Sequence, residues 1–235
     1  LVNWRIFGSS GHRDWSPEPV CERFTRAAAL ADGVNLSFKT LFTRIDAYWC
    51  KLMPHQPRYP HDGRHGELRY VDGAGAVLLE AHEGQGTSAD RGLLSTDLNS
   101  DGQYRDLLYV DGGVSTTGTA GQLRMQGNLV FRHAVEKLAK TAHIALDKAG
   151  LTADQVDWLV PHQANARIIT ATAQKMGLPM DKVVLTVADH GNTSAASIPL
   201  ALSVADGEGR FAPGDVIVTE AIGGGLSWGS VVLRW

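Results

Sequence analysis

From Asp72 to the end of the chain, short apolar stretches alternate with longer stretches of helical period, and this alternation restricts the fold more than any other feature. The apolar stretches predict strands at 76–81, 92–98, 156–160, 183–187, 216–221 and 228–233. The periodic stretches predict helices at 128–150, 164–176 and 194–206. Alternating strands and helices build a parallel or mixed sheet with helices on both faces. The sequence therefore predicts a layered α/β fold for residues 72–235.

The helix that opens at Asn128 carries the clearest amphipathic pattern in the chain, and Gly150 closes it. Its apolar residues recur at helical spacing: Phe131, Val135, Leu138, Ala142, Ala145 and Leu146. Thr152 and Gln155 stand at the spacing of a capping box, ahead of the next strand. Ser194 has the side chain of an N-cap and is expected to begin the last helix.

Residues 1–71 have a different composition and show almost no sustained hydrophobic period. They hold both cysteines and five of the nine prolines, and residues 53–61 contain too many prolines for a helix or a central strand. We therefore expect a domain division after residue 71, with an unrecognised segment at 1–71. One hypothesis is a GC-rich gene translated in a shifted frame, and the alternative is a poorly packed natural extension.

Composition places the chain among ordinary soluble globular proteins, with 235 residues, 43% hydrophobic and 20% charged. A net charge of −3 gives no basic field for nucleic acid or an anionic membrane, so neither is an expected partner. No apolar stretch approaches the roughly 20 residues of a membrane span. Residues 1–10 lack the pattern of a signal peptide and suggest a truncated start, and two cysteines cannot form a disulfide framework. These features favour the cytoplasm.

Three loops beyond predicted strands carry residues that are suited to chemistry. His162 follows the strand at 156–160, Asn192 lies in a tight turn after Gly191, and residues 223–225 are three consecutive glycines. Glycines let backbone N–H groups approach a ligand without obstruction by side chains. Taken singly, each loop is more often structural than functional.

Taken together, the loops and the stretches around them resemble a known family. The stretches that carry the resemblance are Tyr70 to Ala76, Gly127 to Phe131, Asp157 to Asn165, His190 to Ser197 and Glu220 to Gly229. In residues, order and spacing they are similar to β-ketoacyl-acyl carrier protein synthase III, a thiolase-like condensing enzyme. The resemblance covers residues 72–235 and implies the C-terminal half of a thiolase-like fold, with the N-terminal half truncated or replaced.

The resemblance implies an acyltransferase that begins fatty acid biosynthesis. In this family a cysteine takes an acyl group from coenzyme A, and His and Asn donate hydrogen bonds to the malonyl thioester while carbon dioxide leaves. His162 and Asn192 match that catalytic pair, Gly224 matches the oxyanion position, and Gly223 and Gly225 flank it at the pantetheine-binding turn. No cofactor or metal is implied, because coenzyme A thioester and phosphopantetheine are substrates.

The resemblance also implies positions for the substrate arm and for partners. Asn128, Asn165 and Arg167 match the pantetheine tunnel or its mouth. Arg132, Arg167 and Lys175 are candidates for docking the acidic acyl carrier protein by electrostatic steering. Members of the family are homodimers whose interface draws on the nucleophile half.

The nucleophile is where this chain departs from the family. The family spacing places the cysteine near Leu30, and no cysteine stands there. Cys21 and Cys50 lie in settings without the small residues of a nucleophile turn, and Val71 replaces the usual glycine before Asp72. The alternative function is therefore an inactive fragment that binds an acyl thioester or the carrier protein.

A zinc site is a remote third possibility. His55, His61 and His65 have a spacing that occasionally binds zinc, but no carboxylate or thiol accompanies them at helical offset. We therefore expect no metal site.

Overall fold

The computed structural model describes residues 4–10, 73–79 and 83–235. All of them belong to one unit, which is formed by residues 1–10 together with 71–235. A short stretch upstream of the predicted division therefore folds with the downstream residues.

A mixed four-stranded sheet forms the centre of this unit. Its strands are β3 (Gly92–Ser100), β6 (Trp158–Pro161), β7 (Val216–Gly223) and β8 (Ser227–Arg234), in the order β3-β8-β7-β6. β6 and β7 are parallel, whereas β8 is antiparallel to both β7 and β3. The parallel pair brings the carboxyl ends of β6 and β7 to the same edge.

Alternate residues of the two parallel strands face two separate cores. On β7, Val216 and Val218 pack into one hydrophobic cluster and Ile217 packs into the other. Leu159 and Val160 divide in the same way on β6. The sheet is apolar on both faces, as expected of a sheet covered by two helical layers.

Two helices cover the first face, α1 (Gly127–Lys148) and α2 (Ala166–Lys175). Both agree with the predicted helices to within two residues. The buried stripe of α1 is turned slightly from the predicted one, because Val130 and Ala134 are buried while Phe131 and Val135 are only half-buried.

The other face is covered by α4 (Ser197–Gly207), which is preceded in the chain by a short helical turn, α3 (Val187–His190). Pro199 lies in the first turn of α4, where its missing N–H breaks no helical hydrogen bond. α4 also packs against an antiparallel pair, β1 (Trp4–Ser10) and β2 (Gly73–Leu79).

A second antiparallel pair, β4 (Leu108–Val110) and β5 (Leu123–Met125), lies between β3 and α1 in the chain. This pair was not predicted, because three-residue strands carry too little periodicity to be detected in a sequence.

The predicted strand at 183–187 is wrong. Val183 forms only an isolated bridge with Leu159, and the chain becomes helical at Val187. The side-chain oxygen of Gln163 accepts hydrogen bonds from the N–H groups of Thr186 and Val187, so these donors do not pair with a neighbouring strand.

The predicted cap at Ser194 is also wrong. Ser194 opens a 3-10 turn, Ser194–Ala196, and has a positive φ of 54°, whereas α4 begins at Ser197. The capping box of Thr152 and Gln155 is confirmed, with the Thr152 N–H donating to Gln155 Oε1 at 2.9 Å.

The expected architecture, a mixed sheet with helices on both faces, is confirmed. No helix in the described part of the chain is long and apolar enough to cross a membrane. Residues 4–10, 73–79 and 83–235 contain no cluster of three or more metal-ligating side chains of the His, Cys, Asp or Glu type.

Candidate functional site

His162 lies where β6 ends, at the edge that β6 shares with β7. Pro161, the last residue of β6, pairs with Glu220, and the backbone N–H of His162 donates to the Glu220 carbonyl at 2.8 Å. Functional side chains in α/β proteins gather at this edge, because the loops that leave parallel strands converge there.

The imidazole of His162 is half-buried and makes one close contact. Its Nδ1 lies 2.6 Å from the Oγ of Ser197, at the start of α4. Burial lowers the pKa of His162, so the ring is neutral near neutral pH. A neutral ring that uses Nδ1 for this contact has Nε2 left to donate or accept a hydrogen bond.

Gln163 connects the His162 loop to the segment that leads to Asn192. Its side chain is fully buried, and its Nε2 donates to the carbonyls of Pro161 at 2.8 Å and Val184 at 3.1 Å. Its Oε1 accepts from the N–H groups of Thr186 and Val187 at 2.8 and 3.1 Å. Both N–H donors and both oxygen lone pairs of the Gln163 amide are therefore hydrogen-bonded. These bonds fix the distance between the His162 loop and the segment that leads to Asn192.

Asn192 is exposed in the turn that follows α3. Its Oδ1 accepts the backbone N–H of Ser194 at 3.0 Å, which orients the side-chain amide, and within the described residues its NH2 group makes no hydrogen bond. Gly191, with φ of 63°, gives the turn a backbone conformation that other residues rarely adopt.

The three glycines of residues 223–225 differ in whether the structure would accept a side chain at that position. Gly223 ends β7, and a Cβ there would meet nothing within 4 Å. A Cβ at Gly224 would lie 2.8 Å from the carbonyl oxygen of Leu108, so only glycine fits beside β4. Gly225 has φ of 137°, in the region that favours glycine.

His162 and the turn that contains Gly224 follow neighbouring parallel strands, at the same end of the sheet. The contact between His162 and Ser197 connects His162 to the segment that contains Asn192, which lies five residues before Ser197. The sequence-predicted roles of these residues in catalysis stay predictions.

The predicted pantetheine and docking residues lie at the surface, in two places. Asn165 caps α2, accepting the Arg167 N–H at 2.8 Å, and the Arg167 guanidinium lies 5.7 Å from the centre of the Phe131 ring. Asn128 is exposed in the first turn of α1, as is Arg132 one turn later. Lys175 is exposed at the opposite end of α2, about 12 Å along the helix axis from Arg167.

Sequence reasoning missed three buried residues: Gln163, Ser197 and Glu220. All three lie within the stretches that carry the family resemblance. That position was the one signal in the sequence that could have marked them as candidates. Within the described residues, both carboxyl oxygens of Glu220 are buried without a hydrogen-bond partner. Burial raises the pKa of Glu220 to about 8.

The remaining candidates lie outside the described residues. They are Cys21, Cys50, the Leu30 position and the histidines of the remote zinc hypothesis, His55, His61 and His65.

Comparison with known proteins identifies the family. Residues 146–235 match the model of the 3-oxoacyl-[acyl-carrier-protein] synthase III C-terminal domain. The chain is 85% identical over 221 residues to the β-ketoacyl-[acyl-carrier-protein] synthase III of Paracoccus denitrificans strain Pd 1222, a match that covers 93% of this chain and 66% of the relative. This chain belongs to the β-ketoacyl-[acyl-carrier-protein] synthase III family. The resemblance inferred from the motifs is thereby confirmed.

Two further synthase III proteins show what share of a family member's length this chain covers. The Ruegeria strain TM1040 protein is 77% identical over 166 residues, covering 71% of this chain and 51% of that protein. The crystal structure of the Pseudomonas aeruginosa PAO1 enzyme superposes with a TM-score of 0.63 at 42% identity, covering 70% of this chain and 50% of that one. The thiolase-like fold is therefore confirmed. The chain spans between half and two thirds of the length of these synthase III relatives.

The Paracoccus match bears on the upstream segment. Residues 72–235 are about 70% of the chain, so a match covering 93% includes much of the segment before Asp72. This counts against the expected lack of family resemblance in that segment. The division after residue 71 and the shifted-frame hypothesis stay predictions.

Proposed function

We propose that this chain contributes the thioester-activating half of a condensing enzyme that joins an acyl group from acyl-CoA to malonyl-acyl carrier protein, the first condensation of fatty acid biosynthesis. One observation carries the proposal. His162 lies at the end of the sheet where the Gly224 turn also begins, its ring is neutral, and its Nδ1 contacts Ser197, five residues after Asn192.

In the proposed reaction, His162 Nε2–H and the Asn192 amide donate hydrogen bonds to the thioester carbonyl of the malonyl group. The carbon–carbon bond to the carboxylate breaks, carbon dioxide leaves, and the electron pair forms an enolate whose negative oxygen the two donors stabilise. A neutral donor suits this role, because an Asp at position 192 would place a negative charge beside the developing one.

The enolate carbon then attacks the carbonyl of an acyl group held as a cysteine thioester. The oxyanion formed in that step is stabilised by the backbone N–H of Gly224, and its collapse expels the cysteine thiolate and leaves the β-ketoacyl product on the carrier protein. The resemblance places this cysteine at Leu30, so we assign the nucleophile to no residue of this chain.

The proposed substrates are acyl-CoA and malonyl-acyl carrier protein, with the phosphopantetheine arm passing Asn128, Asn165 and Arg167. Arg132, Arg167 and Lys175 are exposed, which supports docking of an acidic carrier protein. A cytoplasmic homodimer is the form that we propose for the complete enzyme. The names of the relatives favour an enzyme over the inactive binding fragment.

Release of carbon dioxide from malonyl-acyl carrier protein tests the proposal, since decarboxylation needs the two donors and no nucleophile. We expect slow decarboxylation by the full chain, and a rate roughly 100-fold lower after His162→Ala or Asn192→Ala, the scale for loss of one preorganised donor. The measurement is labelled carbon dioxide released from carboxyl-labelled malonyl substrate.

His143→Ala is the matched control. His143 lies on the exposed side of α1, where its Nδ1 hydrogen-bonds with the Ala139 carbonyl of its own helix, so its loss should leave the rate unchanged. The proposal fails if the folded chain releases no carbon dioxide, or if His143→Ala slows the reaction as much as His162→Ala.

A further inference from the structure

Ser197 is a buried serine whose hydroxyl contacts the imidazole of His162. Its side chain is 1% exposed, and its Oγ lies 2.6 Å from His162 Nδ1. The same oxygen accepts the backbone N–H of Gln163 at 3.2 Å. Within the described part of the chain, these are the two hydrogen-bond partners of the hydroxyl.

The two contacts determine which way the hydroxyl proton points. The Gln163 N–H is a donor, so the Ser197 oxygen accepts from it. If His162 Nδ1 also carried a proton, both neighbours would donate to Ser197, and the buried hydroxyl would have no acceptor for its own proton. An unmade hydrogen bond at a buried group is costly, so this arrangement is disfavoured.

We propose that Ser197 is a positioning residue that holds His162 in the tautomer with its proton on Nε2. The Ser197 hydroxyl donates to Nδ1, which must then be unprotonated in the neutral ring. Nε2 becomes a hydrogen-bond donor, and the contact also fixes the plane of the ring.

The position of Ser197 in the chain adds a second consequence. Ser197 is the first residue of α4, and Asn192 lies five residues before it in the loop that leads into this helix. One hydrogen bond therefore sets the tautomer of His162 and ties its ring to the loop of the second proposed donor. This inference rests on the proposed role of His162, but the tautomer can be measured without turnover.

Nitrogen NMR of the full chain labelled with 15N-histidine tests the proposal directly. We expect the His162 signals of the unmodified chain, assigned by their loss in His162→Asn, to show an unprotonated Nδ1 and a protonated Nε2. In Ser197→Ala the Nδ1 signal should move toward the position of a mixture of tautomers, whereas Ser197→Thr, which keeps the hydroxyl, should restore it.

Ser230→Ala is the matched control, because Ser230 is also 1% exposed and donates to the Thr219 carbonyl at 2.9 Å. It should leave the His162 signals unchanged. We also expect Ser197→Ala to lower kcat for decarboxylation about 10-fold with little change in KM, the scale for groups that orient a functional histidine.

Two results would overturn the proposal. The first is a protonated Nδ1 in the unmodified chain, a result that is independent of whether Ser197→Ala folds. The second is an unchanged Nε2–H tautomer in folded Ser197→Ala. If the tautomer follows Ser197 and the chain releases no carbon dioxide, the proposed function fails and the positioning role stands.

Discussion

Glu220 is a residue of β7 with a buried, ionisable carboxyl group. Its backbone carbonyl accepts the N–H of His162. Its side chain is 1% exposed, and burial raises its pKa to about 8 from an ordinary value of 4.5. The proton is therefore bound more tightly in the folded chain than in the unfolded chain. Stability from this group is fully present below pH 4.5 and is lost as the pH rises from there to about 8.

Glu220→Gln should remove this dependence, because an amide resembles the neutral acid and does not ionise. We expect the variant to be more stable than the unmodified chain by on the order of 4 kcal/mol at about pH 8, and by less than about 1 kcal/mol at about pH 5. Urea unfolding at both values measures the difference. The exposed Glu136→Gln is the control, and an equal pH dependence in all three chains would contradict the burial of an unpaired acid.

At the scale of elements, the turn between β7 and β8 combines three glycines with different requirements. Gly223→Ala should change the free energy of unfolding by less than about 0.5 kcal/mol, because its Cβ enters open space. Gly224→Ala should cost roughly 1–3 kcal/mol, because the new methyl would lie 2.8 Å from the Leu108 carbonyl oxygen. Thermal or urea unfolding of both variants tests this, and equal costs would contradict the described approach of β4 to the turn.

The contact between β3 and α1 depends on a buried aspartate. Asp97 accepts hydrogen bonds from Lys148 Nζ, Thr141 Oγ1 and Asn99 Nδ2, each at 2.7 Å. The hydrogen bond from Lys148 is the largest cause of a pKa held below the ordinary 3.8, ahead of those from Thr141 and Asn99. Stability from the ionised carboxylate is therefore present above pH 3.8 and is lost as the pH falls through the lowered value.

Asp97→Asn should destabilise the chain by about 1–3 kcal/mol near neutral pH, because a charge-assisted bond is lost and, among the described residues, Lys148 forms a salt bridge with no other carboxylate. The difference from the unmodified chain should shrink as the pH falls below 3.8 and through the lowered pKa of Asp97, where the carboxylate becomes protonated. Urea unfolding near neutral pH and over a series of acid pH values measures it. Asp106→Asn, at a side chain that is 85% exposed, is the control and should change stability by less than about 0.5 kcal/mol.

At the scale of the whole molecule, the open question is whether any residue of this chain accepts an acyl group. Because the resemblance implies a nucleophile position near Leu30, where no cysteine stands, we expect incubation with radiolabelled acetyl-coenzyme A, followed by denaturation, to leave no label on the protein. Oxyanion donors such as the Gly224 N–H cannot replace a covalent acceptor. Stable label that disappears in Cys21→Ala or Cys50→Ala would contradict the assignment of the nucleophile to no residue of this chain.

Much of the fold follows from local sequence. The helices α1 and α2 and the strands β7 and β8 were predicted to within two residues, because apolar periodicity acts over one or two turns or pleats. The prediction of a strand at 183–187 is wrong for a non-local reason. Its apolar residues have the composition of a strand, but the distant Gln163 side chain takes the backbone donors that a strand would need.

The sequence by itself determined the layered architecture, the family and the candidate residues His162, Asn192 and Gly224, because these depend on periodicity and on motifs of neighbouring residues. Only the tertiary structure decided what surrounds them. The contact of the Ser197 hydroxyl with His162 and three of the four side-chain hydrogen bonds of Gln163 join residues at least 20 positions apart in the chain, and the burial of Glu220 depends on the packing of two layers. A hydrogen bond between distant residues forms only where packing brings them together, so no local pattern in the chain predicts it.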